Sequence, residues 1–287
     1  MLYGTWLETY RILYLMNKKP NTRECYMRSI RAMPEEIKQT ELVSSELLVL
    51  LRQWQTERAK TAPRAAQLDR ILIVQSLRMA AAYGHTAQRE WSLIFPAILH
   101  RSRETAYLSK QDLLTYIQTA MQRAQPATPA LLFMAGLGLR RGEALGVRWI
   151  DIQGNILHIM GQRIKNSYTD PKSEAGRREI MMPEWLSREL DSYRTESEYV
   201  SPVSSGQLYR EHYAVISAAG LPRVTPHGLR HSLAMACIDE MSIKALQRLL
   251  GHSKMSLTAD LYGGHHQTAS LPSGVCNVER VTRLEIV

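Results

Sequence analysis

The run Thr225–Tyr262, TPHGLRHSLAMACIDEMSIKALQRLLGHSKMSLTADLY, gathers His227, Arg230, His231, His252 and Tyr262 into one short stretch. A guanidinium can hold two oxygens of a phosphate. A tyrosine hydroxyl can attack phosphorus when a neighbouring group accepts its proton. Thr225-Pro226 is a helix start, with a hydroxyl at the N-cap and proline at the first helical position. That start sets His227 and Arg230 three residues apart on one face of the first turns, where backbone N–H groups favour an anion. A second apolar helix, Ile243–Leu250, ends at Gly251-His252. His227 and His231 are four apart, a spacing that zinc sites also use. The zinc-protease pattern requires glutamate after the first histidine, however, and Gly228 stands there. Taken singly, a histidine after a helix is often only a cap, and a tyrosine at a helix end is usually packing. The company these residues keep is what raises them.

The elements that position them belong to a chain of 287 residues, enough for two domains. Hydrophobic residues make up 45% and charged residues 22%, a globular rather than a disordered composition. The net charge is +9 and the isoelectric point about 9.5, which favours a polyanionic partner. Arginine greatly outnumbers lysine, which suits bidentate phosphate contacts. Residues 1–107 hold 16 Lys/Arg against 10 Asp/Glu and residues 108–287 hold 20 against 17, so both halves are basic. Cys25, Cys237 and Cys276 are too few and too widely spaced for a zinc or disulfide framework, which points to reduced thiols and a cytoplasmic setting. No apolar run is long enough to span a bilayer, and the N-terminal residues lack the basic start of a secretory signal.

In chain order, residues 1–100 read as helices only. Trp6, Leu7, Tyr10, Leu13 and Tyr14 recur at helical spacing, and Asn21–Met33, Leu42–Ala59 and Thr61–Tyr83 continue it. The expectation is a compact four- or five-helix bundle with Arg23, Arg28, Arg31, Arg64, Arg70 and Arg78 on its outer faces. The stretch PAILHRSRETAY has little apolar periodicity and places a linker at 101–107. A second domain then runs over 108–265, followed by a tail, 266–287. It begins with a helix over Leu108–Ala124 capped by Ser109, then an apolar helix, Pro129–Leu139, and a short one, Glu143–Trp149. Asn155–Met160 and Arg178–Met182 read as two strands of a hairpin whose tip is the polar loop Gly161–Gly176. From Pro183 to about Tyr262 the pattern is helical. The fold expected is mainly α with a small antiparallel sheet.

HGLRH, then LLGHS, then Tyr262 ten residues after His252, resembles the tyrosine recombinase (phage integrase) family. GLGLRRGEALGVRWIDI resembles that family's first arginine box, which falls on Arg140 and Glu143. DPKSEAGRREIMMP resembles the segment that carries its lysine, which falls on Lys172. The resemblance covers about residues 105–265, and residues 1–100 match only as a small helical DNA-gripping domain ahead of a catalytic one. Trp6 already belongs to that bundle, so the β-rich arm-binding domain found in many integrases is not expected.

What the resemblance implies is a site-specific DNA recombinase that cuts and rejoins duplexes through a covalent 3′-phosphotyrosine, with no metal, ATP or other cofactor. Arg140 and Arg230 would hold the scissile phosphate. Tyr262 would be the nucleophile and His227 its proton acceptor. Lys172 would protonate the leaving oxygen, and His252 would donate a hydrogen bond to the phosphate. Glu143 and Asp151 would orient an arginine or the local fold, and His231 would be a supporting residue or a bystander, as would His265. Lys165 is a rival to Lys172, and Arg141 to Arg140. The expected partners are double-stranded DNA, three further copies of the chain on two duplexes, and an accessory directionality factor. The tail Val278–Val287 would dock on a neighbouring protomer or fold back on its own. Two other readings stay open: a DNA-binding protein that keeps the fold without the chemistry, and a type IB topoisomerase-like enzyme that relaxes DNA.

Overall fold

The computed structural model describes residues 1–99, 105–164, 167–169 and 176–251. The chain divides into two compact units, Met1–Arg103 and Glu104–Val287.

The first unit is helical among its described residues. Its elements are α1 (Tyr3–Leu13), α2 (Pro20–Ala32), α3 (Glu35–Gln39), α4 (Ser45–Thr61), α5 (Pro63–Ala82) and α6 (Trp91–Ile94). Pro20 and Pro63 open α2 and α5, where a missing N–H costs nothing. The Ser44 hydroxyl caps α4 by accepting the Glu46 N–H. Tyr3, Trp6, Leu7 and Tyr10 recur every three or four residues and are all buried, which seats α1 on the core. The polar atoms that go in with them find partners. The Trp6 indole N–H donates to the Ser76 carbonyl at 2.9 Å, and the Tyr3 hydroxyl lies 2.8 Å from Ser76 Oγ. Two expectations need correction. α3 and α6, of five and four residues, add to the bundle because elements of little more than one turn leave no periodic trace. Arg70 does not lie on an outer face; it is half-buried, and its Nε donates to the Phe95 carbonyl.

The second unit opens with α7 (Lys110–Arg123), α8 (Thr128–Gly136) and α9 (Arg141–Gly146). Ser109 caps α7 as expected, accepting the Asp112 N–H. Every residue of α8 is buried, so this helix is the axis of the unit. Next come β1 (Ile152–Gln153), β2 (Ile156–Ile159), β3 (Gln162–Ile164), β4 (Ser167–Thr169) and β5 (Arg178–Met181). β1, β2 and β5 form an antiparallel sheet in that order, with Ile156 opposite Met181 and Ile159 opposite Arg178. The two expected strands therefore pair, but the stretch between them is not all loop. β3 and β4 form a second hairpin there, with Gln162 opposite Thr169. These six residues are polar enough to give no apolar alternation. The hairpin is held instead by side-chain contacts, including the Arg148 guanidinium 4.6 Å above the Tyr168 ring. Tyr168 comes so close to Gly161 that a Cβ there would lie 2.3 Å from the ring.

The chain closes its described part with α10 (Glu184–Asp191), α11 (Ser205–Ala218), α12 (Pro226–Cys237) and α13 (Ile243–Leu250). The helical pattern expected from Pro183 onward is interrupted between α10 and α11, where Val200 N–H donates to the Val147 carbonyl. α12 packs on α7 and α8, and its Leu229, Leu233 and Ala234 join their core. Buried His212 of α11 helps to hold the start of α12. Its Nδ1 is 2.8 Å from the Tyr116 hydroxyl, and its Nε2 is 2.9 Å from the Val224 carbonyl. A carbonyl can only accept, so Nε2 carries the proton and Nδ1 accepts from the tyrosine.

Candidate active site

Thr225 caps α12 with its hydroxyl, which accepts the Gly228 N–H at 3.1 Å, and Pro226 fills the first helical position. The local sequence thus sets the start of the helix, and the start sets His227 and Arg230. Gly228 brings the helix hard against the chain that precedes α7; a Cβ there would stand 2.8 Å from the Ala106 carbonyl oxygen. Arg230 is buried, with 4% of its surface exposed. Its Nη1 donates to the Gly138 carbonyl at 2.6 Å and its Nη2 to the Leu250 carbonyl at 2.5 Å. Gly138 has φ +68°, a backbone that turns its carbonyl toward Arg230.

Arg140 sits at the N-cap of α9, two residues beyond that turn. Its Nη1 donates to Glu143 Oε1 at 2.7 Å, its backbone N–H to Glu143 Oε2 at 2.9 Å, and its Nη2 to the Gly251 carbonyl at 2.8 Å. Its side chain is 39% exposed, so the guanidinium is open to a ligand. A third arginine completes the group. Arg178 on β5 donates from Nη2 to Glu143 Oε2 at 3.0 Å, and from Nε to the Leu249 carbonyl at 2.8 Å. The last carbonyls of α13 have no partner within their own helix and lie at the negative end of its dipole. Here Leu249, Leu250 and Gly251, three in a row, each receive one guanidinium. Gly251 takes the left-handed conformation that ends the helix.

Electrostatics follow from this crowding. Burial, with the charge of Arg140 beside it, pushes the Arg230 guanidinium down to about 9, so it stays cationic at neutral pH. Burial would raise the Glu143 carboxyl, but the charge and hydrogen bond of Arg178 and then those of Arg140 hold it below its usual value. His227 lies at the surface. Even so, desolvation by the protein around its ring, followed by the charges of Arg230 and Arg140, lowers it below the ordinary histidine value. The arrangement is a pair of neighbouring cations with a neutral imidazole beside them. It can take an anion and accept a proton.

The sequence pattern that defines the phage integrase family matches residues 106–268. The chain belongs to the phage integrase family. Among its relatives is a tyrosine recombinase XerC-like protein of Caldanaerobacter subterraneus, 26% identical over 173 residues, which take in 46% of this chain and 44% of that one. Another is the XerD recombinase of Vibrio cholerae, also 26% identical, with 57% of this chain and 55% of that one covered. The chain thus spans about half the length of these two relatives. The integrase of Escherichia phage HK022 is 26% identical over 272 residues, 88% of this chain and 73% of its own. The fold is that of lambda integrase residues 75–356, seen as a dimer bound to a core site. The TM-score is 0.72 at 21% identity, with 95% of this chain and 99% of that one covered.

Of the residues expected in the site, the structure brings together Arg140, Glu143, His227 and Arg230. Asp151 divides from them: it pairs with Arg148, its Oδ1 2.9 Å from Nη2, and fixes the turn into β1. His231 packs its ring edge-on against Tyr107, centroids 5.2 Å apart. Arg141, the rival of Arg140, turns to the Tyr209 hydroxyl instead. Lys172, its rival Lys165, His252, Tyr262, His265 and the tail Val278–Val287 lie outside the described residues. Sequence reasoning passed over Arg178 as a site residue. A signal was there: strand alternation puts Arg178 on the same face as buried Ile180 and Met182, and an arginine on the inner face of a strand calls for a partner.

Proposed function

We propose that the chain is a site-specific DNA recombinase that breaks and rejoins strands through a covalent 3′-phosphotyrosine. The observation that carries this reading is the placement of Arg140 and Arg230 on adjacent carbonyls of one helix end, beside His227, in a chain of the phage integrase family. Two cations so fixed can hold the non-bridging oxygens of one phosphate and stabilise the added charge of the transition state. Tyr262 Oη attacks phosphorus and gives up its proton to His227. The bond to the 5′-oxygen breaks, and Lys172 protonates that oxygen. The phosphoester passes to the tyrosine with its energy kept, so the reverse attack by a new 5′-hydroxyl reseals the strand without ATP.

The reading extends to assembly. A solved lambda integrase structure is a tetramer bound to a Holliday junction. A tetramer holding two duplexes, exchanging one strand pair at a time in the cytoplasm, with a directionality factor to bias the outcome, is the form proposed for this chain. In the same reading 1–100 grips DNA and 108–265 carries the chemistry.

Covalent trapping tests it. The protein is incubated with nicked duplex carrying its element's end sequence, then denatured and run on a gel beside Tyr262→Phe. An adduct seen with the wild type and lost in the Phe variant is the expected result. Tight binding with no adduct in either would leave a DNA-binding protein without the chemistry, and an adduct that persists in Tyr262→Phe would move the nucleophile elsewhere.

A further inference from the structure

Glu143 raises a difficulty for an anion site. Its carboxylate is almost fully buried and ion-paired to Arg140, the more open of the two arginines assigned to the phosphate. One carboxylate against the guanidiniums of Arg140 and Arg230 leaves a single positive charge to attract an anion. Arg178 resolves this. Its side chain is 8% exposed and that of Glu143 5%, so water and salt screen the pair little. Three guanidiniums against one carboxylate leave a net charge of +2 around the helix end; without Arg178 it falls to +1, with His227 neutral. Arg178 itself is not free to hold a ligand. Its Nε, Nη1 and Nη2 all donate within the protein, to Leu249, Gly176 and Glu143.

We propose that Arg178 is a positioning residue that offsets Glu143, so that Arg140 keeps its positive charge for a bound phosphate while Glu143 still fixes the Arg140 fork. The division of the carboxylate supports this. Arg178 and the Arg140 backbone N–H share Oε2 and leave Oε1 to the Arg140 Nη1, so the Arg140 guanidinium meets Glu143 through one nitrogen only and its Nη2 reaches Gly251. With Arg178 gone, Oε2 keeps only the Arg140 backbone N–H, and the uncompensated carboxylate draws the Arg140 fork inward, away from a ligand. The inference rests on the phosphate-binding reading above.

The test uses the full chain and sulfate as the probe. Thermal unfolding is followed in sodium sulfate against sodium chloride at matched ionic strength, with Arg140→Gln setting the background. Arg178→Gln is expected to weaken the sulfate-specific stabilisation about tenfold in apparent affinity, the size of a one-unit electrostatic shift. Arg178→Lys, which keeps the charge, is expected to stay within about threefold of the wild type. The double variant Glu143→Gln/Arg178→Gln, which restores the charge count, is expected to recover most of what the single variant loses. Sulfate affinity unchanged in Arg178→Gln would overturn the proposal. So would a lysine variant no better than glutamine, or a double variant no better than the single, because a residue that merely braced the fold would behave that way. A wild type that sulfate stabilises no more than chloride would also overturn it. Single-turnover cleavage of nicked DNA by the same proteins should follow the same order. If the wild type cleaves nothing while the sulfate order holds, the recombinase reading fails and the assignment of Arg178 stands.

Discussion

His227 is the residue whose chemistry turns most directly on its surroundings. Desolvation and two neighbouring arginines favour its neutral form, which is the form that can take a proton from tyrosine. A lowered value keeps it neutral through the upper range and charges it only as pH falls below the usual value of about 6.5. The second-order rate of strand cleavage reports the free protein, and it should stay level from about pH 8 through 6.5, then fall at lower pH. Rates measured across that range for the wild type and His227→Gln check it. The variant should be slower and should lack the acid fall, and an inflection centred above 6.5 would remove His227 from the role. The sequence made this residue legible because the Thr225-Pro226 start fixes its place in the helix within a residue. Arg178 was not legible in the same way, since its role depends on Glu143, 35 positions away, and on a carbonyl 71 positions away.

Among the elements, the turn before α9 carries more than its length suggests. Gly138 is left-handed, its carbonyl accepts from Arg230, and a Cβ there would come within 2.9 Å of the Leu250 side chain. Gly138→Ala should therefore cost about 1–3 kcal/mol, combining the left-handed penalty with repacking of a flexible leucine. Gly138→Asn should cost less in backbone strain, because asparagine tolerates that conformation, though its bulk still meets Leu250. Denaturant midpoints of the three proteins measure this, and an alanine variant as stable as wild type would show that the turn relaxes. Glycine is visible in a sequence, but the positive φ and the neighbour that excludes a methyl group are not. The polar hairpin of β3 and β4 was hidden for a related reason: ring-to-guanidinium and backbone contacts hold it, and apolar alternation does not mark them.

At the scale of the molecule, the signal was charge. The excess of arginine in both halves, with +9 overall, suits a partner that is a line of phosphates. Affinity for duplex DNA should fall steeply with salt, by roughly 10³–10⁵ between about 50 and 200 mM if some 6–10 phosphates are contacted. Titrations at several salt concentrations give the slope, and an affinity flat in salt would argue against DNA as the partner. The mainly helical fold with a small antiparallel component was legible because long amphipathic helices announce themselves. Elements of one turn, such as α3 and α6, left too short a trace.

The end of α13 is read from three sides at once: by Arg140 before α9, Arg178 on β5 and Arg230 on α12. Each takes a different carbonyl, and the three carbonyls are consecutive. An added or deleted residue in α13 would turn that end by about 100° and move it about 1.5 Å, which withdraws all three oxygens together. The length of this short helix is thus fixed by residues that lie outside it. An exposed side chain such as Lys244 can be exchanged far more freely than a single residue can be inserted or removed.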